Sequence, residues 1–128
     1  MITKDEVLMG REKTYSSEYT EEISNNIDKL LIPLNKLRIA YGNPMKVSSG
    51  WRPPSLNKKI KNAATKSNHC LGLACDFEDK DNKLMLWLWN NLQLLEKLGL
   101  YWEDPQYTKG WVHLQIVPPK SGNRIFKP

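Results

Sequence analysis

At 128 residues, with 40% hydrophobic and 26% charged side chains, the chain has the composition of a globular protein that buries a core without staples; disorder and collagen-like repetition are excluded. The formal charge of +5 favours anionic partners such as nucleic acid, acidic lipid surfaces or cell-wall polymers, and it speaks to association rather than chemistry. Two cysteines, Cys70 and Cys75, are too few for a disulfide framework.

The first residues lack the basic start and apolar stretch of a secretory signal, and no apolar run reaches membrane-spanning length. Synthesis in the cytoplasm without a signal peptide is therefore expected, with no membrane span. One domain over residues 1–128 is expected, with the motif-bearing core at about 45–117.

Thr3 followed by Glu6 has capping-box spacing and predicts a short helix that ends near Gly10. Ile23, Ile27, Leu30, Leu34, Leu37 and Tyr41 recur at steps of four and three, one apolar helical face, with Gly42 as the stop. Pro33 lies inside this helix and predicts a kink or a division, because proline lacks a backbone donor. Met45 to Ser49 reads as a short strand entering Gly50-Trp51-Arg52-Pro53-Pro54, where two prolines force the chain out of regular structure.

A polar, lysine-bearing segment follows from Ser55 to Ser67, with Lys58, Lys59, Lys61 and Lys66 read as a solvated face. Gly72 to Glu78 reads as a strand. Asn82 to Leu98 reads as one helix with Leu84, Leu88, Leu92 and Leu95 as its apolar stripe, and its Trp87 and Trp89 read as packing residues. Leu98–Glu103 and Trp111–Val117 read as an antiparallel hairpin around a turn-rich segment, and the tail from Pro118 to Arg124 as irregular. The sum is an α+β domain, helices on a small antiparallel sheet.

Two histidines occur, His69 and His113. Alternation along the Gly72 strand puts Leu73, Cys75 and Phe77 on one face and Gly72, Ala74, Asp76 and Glu78 on the other. Asp76 thus sits beside two residues of little volume, which leaves room for an ion and a substrate. In the last strand Val112, Leu114 and Ile116 form the apolar face, and Trp111, His113 and Gln115 the opposite one. His69 lies in a loop that can bend back towards Asp76. Two imidazoles and one carboxylate, with a fourth position for water, form a catalytic type of zinc set. Taken singly, each residue is ordinarily a surface or turn residue; together they favour a Zn2+ site. The C-x-x-x-x-C spacing matches no strong metal pattern, so Cys70 and Cys75 are read as buried thiols.

The stretch Ser67-Asn68-His69-Cys70-Leu71-Gly72-Leu73-Ala74-Cys75-Asp76 resembles the S-x-H-x-x-G-x-A-x-D motif of peptidase family M15. That family includes zinc D-alanyl-D-alanine dipeptidases and carboxypeptidases and L-alanyl-D-glutamate endopeptidases. Trp111-Val112-His113 is similar to its second histidine block, and Ser49-Gly50-Trp51-Arg52-Pro53 to its upstream S-G-[YW]-R segment, so the likeness spans roughly Ser48 to Gln115. It implies a Hedgehog-like, DD-peptidase-like α+β fold, with His69, Asp76 and His113 as zinc ligands. It implies further that Arg52 binds substrate or steadies the developing oxyanion, and that Ser67 hydrogen-bonds substrate or a ligand. The implied activity is that of a zinc metallopeptidase on peptidoglycan stem peptides, in a small, phage-type, endolysin-like member that acts after release or as a virion component, as a monomer.

One departure matters. Many members carry the catalytic carboxylate three residues before the last histidine, where this chain has Gly110. A hairpin centred near Thr108 sets Glu103 opposite His113, which makes Glu103 the expected general base, with Asp104 and Glu78 in reserve. Gly110 also keeps alive the alternative of a catalytically inactive, zinc-stabilised cell-wall or protein-binding domain of the same fold. A basic nucleic-acid-binding module, suggested by the charge and five tryptophans, is the third reading, and no nucleic-acid partner is expected.

Overall fold

The computed structural model describes residues 1–60 and 67–128. It begins with α1 (Lys4–Leu8), capped by the reciprocal Thr3 and Glu6 bonds that the sequence spacing demands, and α2 (Arg11–Thr14). The long α3 (Glu21–Tyr41) buries Ile23, Ile27, Leu30, Leu34 and Leu37 and ends at Gly42 in the left-handed region. Pro33 does not divide it. A proline removes one backbone bond from the helix, whereas five buried aliphatic side chains fix both halves against the same core.

After α3 come β1 (Val47–Ser49), α4 (Pro54–Asn57), a single 3₁₀ turn at Asn68–Leu71 and β2 (Ala74–Glu78). The expected helix from Asn82 to Leu98 is two helices, α5 (Lys83–Trp89) and α6 (Leu92–Leu98). Apolar periodicity runs through the break, but the Asn90 and Asn91 amides donate to the Leu86 and Trp87 carbonyls and so compete with the backbone donors that would extend α5. At the other end of α5 the Asp79 carboxylate accepts from the backbone of Leu84 and Met85.

The sheet is completed by β3 (Tyr101–Glu103), β4 (Trp111–Gln115) and β5 (Ile125–Phe126), in the order β1-β2-β4-β3-β5. The β3–β4 pairing is the expected hairpin, and β2 joins it antiparallel to β4. Pro118 to Arg124 holds no helix or strand, as expected; just beyond it β5 runs parallel to β3, with Trp102 donating to the Arg124 carbonyl and Asp104 to that of Phe126. Two residues are too few to leave a periodic signal in the sequence. One sheet face, carrying Cys75, Phe77, Trp102, Val112 and Leu114, joins the core with α1, α3, α5 and α6. The other carries the polar residues. No described helix is long and apolar enough to cross a membrane.

The two motif glycines are spacing devices. A Cβ on Gly72, already at φ +74°, would stand 2.8 Å from Ile27 of α3. A Cβ on Gly50 would stand 2.0 Å from the Val7 carbonyl oxygen of α1, to which Trp51 donates its backbone N–H. Backbone cannot step aside as a flexible side chain can. Gly50→Ala is therefore expected to destabilise the protein by about 3 kcal/mol or more, while Gly10→Ala, with open space around it, loses only about 1 kcal/mol through its positive φ. Urea denaturation of the two variants checks this; equal midpoints would contradict the close approach of α1 to Gly50.

Candidate metal centre

Strand β2 delivers Asp76 and β4 delivers His113, and the two are direct cross-strand partners. Directly opposed residues point to the same side of a sheet, so the carboxylate meets the imidazole without any long-range adjustment. His113 Nδ1 lies 2.8 Å from Asp76 Oδ1. His69 arrives on the 3₁₀ turn, and its Nε2 lies 3.2 Å from the same oxygen. All three side chains are buried, and one ligand atom from each lies within 4.8 Å of the others.

The outer bonds decide which ring nitrogens face inwards. His69 Nδ1 lies 2.8 Å from the Gly50 carbonyl oxygen, which can only accept; Nδ1 therefore carries the hydrogen, and Nε2 of the neutral ring is a lone pair turned on Asp76. His113 Nε2 lies 2.7 Å from Gln115 Oε1, and the Gln115 amide donates to the Val117 carbonyl at 2.7 Å. In the neutral His113 ring the lone pair is thus on Nδ1, again turned on Asp76. Two nitrogen lone pairs and a carboxylate oxygen converge, an arrangement that repels unless a cation stands among them. Two nitrogens and an oxygen suit zinc, so the residues present fit the ion.

Without metal, protons must play that part. Burial pushes the Asp76 carboxyl up, but the hydrogen bonds and charge of His113 and His69 prevail and hold it at about 2. Burial lowers His113, and the Asp76 partner more than restores it, so this imidazole titrates above its ordinary range.

The substrate-side residues predicted from the sequence surround this cluster. Ser67 caps the 3₁₀ turn, its Oγ accepting from the His69 backbone at 3.1 Å and from Arg52 Nη2 at 3.3 Å. Arg52 also donates its backbone N–H to the His69 carbonyl, while its Nε is buried with no partner among the described residues. The β3–β4 register, Tyr101 opposite Gln115 and Trp102 opposite Leu114, sets Glu103 opposite His113 when continued by one residue. Burial raises the Glu103 carboxyl; His113 opposes this, and Asp76 and Asp104 add to it. Asp104 instead accepts from the Gln106 backbone and opens the turn, and Glu78 pairs with Lys80 and Lys46.

Cys75 is fully buried on the core face and its thiol is pushed well up, first by burial; Cys70 is half-buried. Lys58 and Lys59 are exposed, while Lys61 and Lys66 lie outside the described residues. Three contributors escaped the sequence reading. Gly50 acts through a carbonyl, which no side-chain pattern reveals; Phe126 of β5 packs edge-on to His113 with ring centroids 6.1 Å apart. Gln115 was placed on the correct face, and its two-residue step from His113 was the available clue to its contact.

Fold and site together define an α+β domain in which two histidines and one carboxylate could hold a single metal ion. The chain belongs to the peptidase M15 family, whose sequence model matches residues 3–115, and that family is zinc-dependent. No curated protein and no solved structure gives a significant match.

The two shifted groups set the pH response of the metal-free protein. Asp76 lies below its ordinary 3.8, so its contribution to stability is present above that value and is lost as pH falls towards about 2. His113 lies above its ordinary 6.5, so its contribution is present below 6.5 and is lost as pH rises through its folded value. Metal-free protein in chelator is expected to show greatest resistance to urea near about pH 5 and to weaken in both directions. Stability that climbs steadily from pH 5 to 8 would contradict the His113–Asp76 pairing.

Proposed function

We propose that the protein is a zinc metallopeptidase that hydrolyses peptide bonds in peptidoglycan stem peptides. The observation that carries the reading is the convergence of His69 Nε2, His113 Nδ1 and the Asp76 carboxylate in one buried cluster. His69, Asp76 and His113 would hold the ion, which when bound supplies a Lewis acid that acidifies water and polarises a carbonyl.

The remaining work falls to the chain. Glu103 accepts the proton of the attacking water at its carboxylate; its raised pKa makes it a stronger base than an exposed glutamate. No described group donates a hydrogen bond to that carboxylate, so it is available to a water. Arg52 offers donors to the oxygen on which charge develops, and its buried Nε, without a partner among the described residues, supports that role. Ser67 holds the Arg52 guanidinium and the His69 backbone in fixed relation. The net charge of +5 suits an anionic polymer as the surrounding substrate. The peptide as substrate class follows from the family; the peptidoglycan stem follows from the motif resemblance alone.

The rival reading is an inactive binding domain of the same fold, and Gly110, three residues before His113, is the feature that favours it. Glu103→Gln and Asp104→Asn, digested against purified peptidoglycan with zinc content and melting temperature measured alongside, separate the readings. Glu103→Gln is expected to lose about 10²–10⁴-fold in turnover with zinc retained, and Asp104→Asn to lose little. New peptide termini identified by mass spectrometry name the bond. Binding of peptidoglycan without cleavage by wild type would establish the rival instead. Arg52→Lys keeps the charge and loses the planar fork, so turnover is expected to fall by about 10²-fold at unchanged zinc content. Undiminished turnover would make Arg52 a structural residue.

A further inference from the structure

We infer that Gln115 is a positioning residue for the metal: it fixes the His113 ring so that Nδ1, and not Nε2, is the nitrogen presented to the ion. The inference rests on the proposed zinc site and adds to it the residue that sets its geometry.

The argument begins with the orientation of an amide. The side chain of Gln115 is buried, and both its ends are engaged, Nε2 towards the Val117 carbonyl at 2.7 Å and Oε1 towards His113 Nε2 at 2.7 Å. A carbonyl accepts and cannot donate, so the amide NH2 must face Val117 and the amide oxygen must face His113. An oxygen at that place requires a hydrogen on His113 Nε2.

The alternative tautomer would oppose the Nε2 lone pair to the Gln115 oxygen at 2.7 Å. Turning the amide over would relieve that clash only by opposing its oxygen to the Val117 carbonyl. Neither rearrangement satisfies both ends, so the pair of hydrogen bonds selects one state of the ring.

The strand makes this possible. His113, Gln115 and Val117 stand two residues apart, so the first two share a face of β4 and the chain continues in line beyond them. Across the ladder from Gln115 is Ala74, the small residue of the motif, whose methyl leaves space for a long amide. His69 is oriented by a different device, the Gly50 carbonyl, so the two rings are set independently. An amide also holds the ring without bringing a second negative charge beside Asp76.

The test uses the full chain and zinc alone. Zinc affinity is measured by competition with a chromophoric chelator, and the imidazole nitrogens of the zinc-loaded protein by ¹H–¹⁵N NMR, for wild type, Gln115→Met and Gln115→Glu. Wild type is expected to show His113 ligated through Nδ1, with a slowly exchanging Nε2–H. Gln115→Met, similar in size but without the acceptor, is expected to weaken zinc binding by about 10–100-fold and to expose that proton to exchange. Gln115→Glu, which retains the acceptor oxygen but sets its other oxygen against the Val117 carbonyl, is expected to keep the Nε2–H signal and Nδ1 ligation, with a zinc affinity nearer to wild type than that of Gln115→Met. A merely structural role would lower the melting temperature of both variants and leave the ligating nitrogen and the zinc affinity unchanged. Ligation through Nε2 in wild type, or unchanged zinc affinity in a folded Gln115→Met protein, overturns the inference while leaving the zinc reading intact. Failure of wild type itself to bind zinc overturns both.

Discussion

A carboxylate buried beside two imidazoles is the constraint around which this protein is arranged. Asp76 is almost sealed from water, and an uncompensated anion there would be far more costly than any single packing contact. Compensation comes from His113 across the β2–β4 ladder and from His69 on the neighbouring turn, strongly enough to hold the acid at about 2 despite its burial. The same convergence of lone pairs makes the cluster one that could hold a divalent ion.

Each member of the cluster is anchored to a different part of the fold. Asp76 and His113 belong to central strands whose other face carries Phe77, Val112 and Leu114 into the core, so the register that buries the hydrophobes also aims these two side chains. His69 depends on the 3₁₀ turn, on Ser67 at its start, and on Gly72 at its end, where only a glycine fits against Ile27 of α3. Its ring depends in turn on Gly50, which fits only because it has no side chain against Val7 of α1. The family match reaches back to residue 3 and so includes this first helix, which forms one wall of the segment that orients His69. At the opposite edge, beyond the matched residues, β5 pairs with β3 and sets Phe126 against His113.

Much of this was legible in the sequence. Helix α3 announced itself through five aliphatic residues at helical spacing, and Thr3 with Glu6 marked the start of α1 through chemistry local to four residues. The hairpin register followed from the turn residues around Thr108, and with it the place of Glu103. The motif from Ser67 to Asp76 pointed to His69 and Asp76 through the resemblance, and the Trp111–His113 block to His113. What escaped depends on contacts that leave no periodic trace. The division between α5 and α6 turns on two asparagine amides, and β5 is held by backbone bonds at two residues. The continuity of α3 through Pro33 is decided by the core it packs on. The contribution of Gly50 is a carbonyl oxygen, common to every residue and visible only once His69 is placed.

X-ray absorption at the zinc edge, on protein loaded with one equivalent of zinc, tests the central claim most directly, because it reads the identity of the atoms around the ion. The account predicts a first shell of nitrogen and oxygen at about 2.0–2.2 Å, with the outer-shell scattering of imidazole rings and no sulfur. Sulfur at about 2.3 Å would transfer the site to Cys70 or Cys75 and contradict the assignment of His69, Asp76 and His113.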